Sequence, residues 1–154
     1  GELVLDDRIF FHYVATGITP AMAAPRVGSG SAYGFATKDA SGEYLDGGNT
    51  YKITLPAPIP ANNFWSFMVY SGQHRSMLET DQKLAGLDSN NPSVKPNADG
   101  SYTMWFGPKA PKGHEGNWIQ TMPDKSYSVL LRLYGPLEPW FDKSWKPGDF
   151  ERVK

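Results

Sequence analysis

Arg132 is the charge whose setting invites chemistry. It stands between Leu131 and Leu133 in the run Tyr127 to Tyr134, where Tyr127, Val129, Leu131 and Leu133 alternate with Ser128, Leu130, Arg132 and Tyr134. That is the two-residue period of a strand with one dry face. A guanidinium there has two readings. It is a structural group, exposed at an edge or paired with a carboxylate from Asp142, Glu138 or Glu115, because an unpaired buried charge is prohibitive. Or it is an anion clamp in a pocket, using the planar fork that suits carboxylates.

Five tryptophans, Trp65, Trp105, Trp118, Trp140 and Trp145, join Tyr70 and Tyr134 as rings that could line a groove for a small aromatic molecule or a glycan. The alternative use of such rings in a β domain is core or interface. The candidate ligand-binding set is Arg132, Tyr134, Trp118, Gln120, Glu138 and Trp65. Trp140, Phe141 and Trp145 lie in a Pro-rich tail and form the candidate interface set, able to cover a sheet edge or meet another chain.

Other chemistry has weaker signals. His12, His74 and His114 are far apart, and none has a second ligand at H-x-H or H-E-x-x-H spacing, so no metal site is read. His114-Glu115 in a Gly-rich loop could serve as an acid/base pair or do nothing. Gly28-Ser29-Gly30-Ser31 lacks the strand-to-helix elbow of a serine nucleophile and the Lys-Ser/Thr of a phosphate loop. No spacing specifies a reaction or a cofactor.

The elements that must position these residues are mostly strands. A chain of 154 residues with 40% hydrophobic and 14% aromatic residues, 16 Gly and 13 Pro is a turn-rich, aromatic-cored domain. At this length roughly 70% of the unfolded surface can be buried. The net charge of -1, with scattered Lys and Arg, gives no stripe to track a phosphate backbone, so nucleic acid is not an expected partner. The absence of cysteine removes disulfides, thiolate metal sites and cysteine nucleophiles. No apolar run approaches the roughly 20 residues that span a bilayer. The start, Gly1-Glu2, has no initiator Met or signal sequence, so the chain is expected to be a mature or trimmed fragment.

In chain order, Asp6 is read as the N-cap of a short helix, with a Leu5–Phe10 staple, an apolar face of Ile9, Phe10, Tyr13 and Val14, and a stop at Gly17. About ten residues is too short for a helix to stand alone, so it must dock. Residues 18–34 read as an extended connector, giving an N-terminal unit of 1–31 and a sandwich domain of 32–154. Strands follow at Ser31–Thr37, around Tyr51, Ile53 and Leu55, at Phe64–Tyr70, at Tyr102–Phe106, at Trp118–Thr121 and at Tyr127–Tyr134. Turns fall at Asp39-Ala40-Ser41-Gly42, Asp46-Gly47-Gly48-Asn49 and Asp99-Gly100. Phe64–Tyr70 is apolar on nearly both faces, as for a central strand covered on two sides. Between Gly72 and Pro96, Met77, Leu78, Leu84 and Leu87 suit either a turn or two of helix or a packed loop. Short strands at this spacing argue for two packed sheets.

Three segments carry a family resemblance: Phe64–Tyr70, Gly116–Thr121 and the long Arg132-Leu133-Tyr134-Gly135-Pro136-Leu137-Glu138-Pro139-Trp140-Phe141-Asp142 run. The turns Leu45–Asn49 with Tyr51, and Asp99-Gly100-Ser101, go with them. In order and spacing they resemble the DUF1214 family across roughly residues 32 to 152. The resemblance implies a mainly β, jelly-roll-like β-sandwich, preceded here by the short N-terminal helix. It also implies a place as the C-terminal part of a larger bacterial protein whose N-terminal domain is DUF1254-like, in the periplasm or secreted. It carries no catalytic residues.

Three expectations follow. The first is a binding or interaction module with Arg132 and nearby aromatics as the pocket. The second is an enzyme whose site, built from Arg132, Glu138, His114 and Tyr134, lies at the junction with the DUF1254-like domain. The third is an assembly subunit, a homo-oligomer closed through Trp140, Phe141 and Trp145.

Overall fold

The computed structural model describes residues 4–16 and 24–153, the side chains of residues 11–16 excepted. Among these residues one helix, α1 (Leu5–Thr16), precedes eight strands: β1 (Ser31–Ala36), β2 (Thr50–Leu55), β3 (Ala61–Ser71), β4 (Gly86–Asp88), β5 (Tyr102–Gly107), β6 (Trp118–Gln120), β7 (Tyr127–Pro136) and β8 (Glu151–Val153). A four-residue helix, α2 (Glu138–Phe141), follows β7. The chain is mainly β.

The strands form two four-stranded sheets, in the orders β1-β7-β3-β4 and β6-β5-β2-β8. Every pair is antiparallel except β5 with β6, which run parallel. The strand read first from the sequence lies inside its sheet, paired to β1 on one side and along nearly the whole of β3 on the other.

The two-residue period decides what lies between the sheets. Val129, Leu131 and Leu133 of β7 and Trp65, Phe67 and Val69 of β3 are buried, as are Tyr51, Ile53 and Leu55 of β2 and Met104 and Phe106 of β5. Phe67 meets Phe106 edge-on with ring centroids 5.5 Å apart, and Trp65 meets Tyr102 at 5.1 Å. These T-shaped pairs set ring edge against ring face, the arrangement aromatic quadrupoles favour. The common core is therefore the inner face of both sheets.

Polar anchors hold the loops. The turn Asp46–Asn49 forms as its residues require, with the Asp46 carboxylate accepting from Gly48 N at 2.8 Å and Asn49 N donating to the Asp46 carbonyl at 3.1 Å. The turn lies so close to the segment before β7 that a Cβ on Gly47 would collide with the Met122 carbonyl oxygen, while Thr121 Oγ1 donates to the Gly47 carbonyl at 2.7 Å. Only glycine fits there. Asn117 ties the short 3-10 turn Glu115–Asn117 to its surroundings: its Oδ1 accepts from Lys95 N, and its Nδ2 donates to the carbonyls of Lys95 and Thr103.

Several expectations change. The helix begins at Leu5, so Asp6 is not its N-cap; with Asp7 it occupies the first turn, where a carboxylate favours the positive end of the helix dipole. Leu5, Ile9 and Phe10 are exposed, so these residues are not buried against the sheets. The stop at Gly17, residues 18–23 of the connector, and the side chains of His12, Tyr13 and Val14 lie outside the described residues. Of the two alternatives for the stretch after Gly72, the structure shows the packed loop, with the short β4 and with Leu78 and Ala85 buried. β3 is fully covered on one face; on its other face Ser66 is buried and Phe64, Met68 and Tyr70 are half-buried.

Tyr127 opens β7 with a cost. Its ring is buried against Tyr51, with centroids 6.4 Å apart, but among the described residues its hydroxyl has no hydrogen-bond partner. Burial, reinforced by Tyr51 and Asp46, raises its pKa well above the ordinary 10.0. The folded state therefore holds the phenol neutral while the unfolded chain can ionise it. This contribution to stability is complete below pH 10.0 and is lost as the pH climbs past it. Tyr127→Phe removes a desolvated, unpaired hydroxyl and should leave stability unchanged or raise it by up to about 1 kcal/mol. It should also flatten the alkaline fall in stability. Urea unfolding across pH 8 to 11 checks both, and a loss above about 1 kcal/mol would show that the hydroxyl is bound.

Candidate functional site

The outer face of the first sheet carries the site. Across it the register sets residues in rows: Ser31, Tyr134 and Phe64; Tyr33, Arg132 and Ser66; Phe35, Leu130 and Met68; then Ser128 and Tyr70. β1 inverts the usual sorting. Its inward positions are the small Ala32, Gly34 and Ala36, and the space a Cβ on Gly34 would fill is already met by the Trp140 ring at 3.4 Å. Its outward positions are Tyr33 and Phe35, 53% and 67% exposed.

Arg132 belongs to this outer face, so its two leucine neighbours are in the core while its own side chain is not. Its guanidinium carbon lies 5.0 Å from the Tyr134 ring centre and 5.9 Å from that of Tyr33. Tyr134 is itself stacked on Phe64 at 4.0 Å. Among the described residues no carboxylate is in ion-pair range of Arg132, and its Nε is buried without a hydrogen bond. Of the readings the sequence left open for Arg132, the pairing with Asp142, Glu138 or Glu115 is not seen among the described residues. Asp142 accepts instead from Ser144 N at 2.8 Å, and the Ser144 backbone and then side-chain hydrogen bonds hold its pKa low. Glu115 accepts from Gly113 N at 3.0 Å, which lowers its pKa in the same way, and Glu138 is exposed on α2.

Two residues further along the sheet, a cavity of about 550 Å³ opens on the same face. Leu130 and Ser128 line it from the sheet, Phe35 and Tyr70 from the strands on either side, and Tyr44 and Arg75 from loops. The turn after β1 delivers Tyr44. Asp39 Oδ1 accepts from Ser41 Oγ at 2.6 Å, from Ser41 N at 2.9 Å and from Glu43 N at 3.2 Å, and Lys38 then pairs with Tyr44. The Ser41 hydroxyl, aided by backbone N–H groups, lowers the Asp39 pKa. Lys38 Nζ lies 4.8 Å from the Tyr44 ring centre, and that ring is 67% exposed. The loop after β3 delivers Arg75, whose N–H donates to Ser71 O at 2.9 Å and whose φ of 59° is a left-handed backbone that a non-glycine residue seldom adopts.

The structure scatters the remaining sequence candidates. Tyr134 joins Arg132, but Trp65 faces inward and is core. Trp118 and Gln120 are on β6 of the other sheet. There Trp118 Nε1 donates to Gly107 O at 2.9 Å, and Gln120 Nε2 reaches Asp81 Oδ2 at 3.2 Å beside a second, polar cavity of about 440 Å³. His114 stacks on Trp105 at 4.7 Å. Trp105 lies beside Lys52 on the outer side of the second sheet, so His114 and Arg132 stand on opposite sides of the molecule. Trp140 and Phe141 are half-buried; Trp145 is buried, its Nε1 donating to Pro56 O at 2.9 Å. Among the described residues no group of three or more His, Asp or Glu could hold a metal, and no helix is long and apolar enough to cross a membrane.

Sequence reasoning missed Tyr33, Phe35, Tyr44, Leu130 and Arg75. The signal for the first two was present: large rings alternating with Gly and Ala in Ser31–Ala36 mark which face lacks a core.

Because Arg132 is held by rings and not by a carboxylate, Arg132→Met should cost about 1 kcal/mol, the scale of a cation–π contact. A broken buried ion pair would cost about 3–5 kcal/mol. Urea unfolding of the variant separates the two, and a loss in the higher range would mean that a carboxylate partner exists.

A family model described as "Protein of unknown function (DUF1214)" matches residues 30–138. The crystal structure of the VPA0106 protein from Vibrio parahaemolyticus superposes with a TM-score of 0.72 at 22% identity, covering 93% of this chain and 34% of that one. An uncharacterized protein from Burkholderia cenocepacia gives a TM-score of 0.47 at 19% identity, over 99% of this chain and 44% of that one. The first is a likeness of fold, and the chain spans about a third of that protein's length. No curated protein matches the sequence.

Proposed function

The chain belongs to the DUF1214 family, and from that premise we propose that it is a binding module whose ligand lies in the aromatic groove on the outer face of the first sheet. The observation that carries this reading is the pairing of a cavity of about 550 Å³ with Phe35 and Tyr44, each two-thirds exposed on its wall. Ligand pockets fall in the range of about 300–1,000 Å³ and are mostly apolar with a few polar groups. Soluble domains rarely leave contiguous apolar surface without a use. A flat, largely apolar molecule fits, with rings against Phe35, Tyr44 and Tyr70, Leu130 as floor, and Ser126 and Ser128 as neutral hydrogen-bonding groups.

A second reading rests on length, since the Vibrio protein of the same fold is about three times as long. In it, the chain is the C-terminal part of a two-domain envelope or secreted protein, and this face packs against the DUF1254-like domain. The enzyme reading would then need groups from that domain, because His114 is on the far side from Arg132 and Tyr134. Self-association through Trp140, Phe141 and Trp145 has less support, as Trp145 is buried in the chain's own core.

Phenylnaphthylamine, a neutral fluorescent probe, should bind at one saturable site. Phe35→Ala and Tyr44→Ala should each weaken it about fivefold, the loss of roughly 1 kcal/mol of ring contact. Trp118→Ala, on the other sheet, should leave it unchanged. Absence of saturable binding, or binding indifferent to both groove substitutions, would end the small-ligand reading. If the probe binds this chain but not the longer protein that contains it, the face is a domain interface.

A further inference from the structure

We infer that the ligand of this groove is a small aromatic anion, an aryl carboxylate or sulfonate, whose charge is read by Arg75; the inference rests on the groove reading above. The carrying observation is the one-sided charge of the lining. Among the described residues Arg75 is the one charged residue that lines the groove, and neither Asp nor Glu contributes to the wall. Lys38, drawn over the Tyr44 ring, adds a second positive charge beside the wall. Among the described residues neither Arg75 nor Lys38 has an ion-pair partner. Desolvating an anionic ring system costs least where its charged end meets an arginine fork and its rings meet other rings.

The two arginines of this face differ in setting. Arg132 lies two residues beyond Leu130 on the same strand, about 7 Å along the sheet, and its guanidinium is placed against Tyr134 and Tyr33. Arg75 lies on the cavity wall itself. The loop that carries it is fixed by Ser71: its carbonyl accepts from Arg75 N, its N–H donates to Ser76 O at 2.8 Å, and its Oγ accepts from His74 N at 3.2 Å. The left-handed backbone of Arg75, shared by Lys83, Asp124 and Lys143, is thus held by a network rooted in β3, which fixes where the side chain starts on the wall.

The test compares two probes with the same rings, neutral phenylnaphthylamine and anionic anilinonaphthalene sulfonate, titrated against the folded chain at low and high salt. The anion should bind roughly tenfold more tightly at low salt, the scale of a charge-assisted contact at a partly exposed rim. Added salt should erode that advantage. Arg75→Gln should abolish it, the anion falling to the affinity that the neutral probe has for the same variant, and Arg75→Lys should retain part of it. Near-UV circular dichroism confirms that each variant is folded. If the neutral probe binds at the groove but the anion binds no better, the groove stands and this inference falls. If Arg132→Gln removes the anion's advantage and Arg75→Gln does not, the assignment to Arg75 is overturned. If neither probe binds, the groove reading fails and takes this inference with it.

Discussion

The structure depends on β7 being hydrogen-bonded along both edges while its two faces do different jobs. Pairing to β1 and β3 satisfies its backbone groups, and in a buried strand that satisfaction is obligatory. Once the register is set, a side-chain period of two leaves no freedom: Val129, Leu131 and Leu133 enter the core and Leu130, Arg132 and Tyr134 leave it. A slip of one residue would drive the guanidinium into the space between Trp65 and Phe67 and expose three core leucines and valines. The core and the candidate site are thus fixed by one set of backbone hydrogen bonds.

The same logic explains why the outer face is unusual. An antiparallel sheet with one wet face normally turns polar residues outward. Here the outward rows contain Phe64, Tyr134, Tyr33, Phe35, Leu130, Met68 and Tyr70, interrupted by a single guanidinium and small hydroxyls. A cation among rings retains favourable electrostatics without a carboxylate. That is why Arg132 can lack an ion pair and still suit its surroundings.

Much of the fold was legible because its signals are local. The alternation in Tyr127–Tyr134 and Tyr102–Phe106, and the Asp-Gly-Gly-Asn turn, each name a conformation from neighbouring residues alone. What stayed illegible depends on partners distant in sequence. Apolarity on both sides of Phe64–Tyr70 says that two faces avoid water, not what covers the second. Trp118 and Arg132 read as one candidate set by side-chain chemistry alone, yet β6 and β7 belong to different sheets. Arg75 was invisible because it lies in a loop with no side-chain period, and only the fold brings it to the cavity wall beside Phe35, Tyr44 and Leu130. Strands as short as β4 and β8 carry too few residues for a period to show.

The C-terminal tail redraws the limits of the fold. The family match ends at residue 138, but Trp145 and Phe150 beyond it are buried, Phe150 edge-on to Phe106 at 5.1 Å, and β8 pairs with β2. Between them lies Gly148, whose N–H donates to Thr54 O at 2.8 Å. Boundaries drawn from sequence recurrence would therefore cut through a hydrophobic interior and strip an edge strand from the second sheet. The unit that recurs in sequence is shorter than the unit that folds.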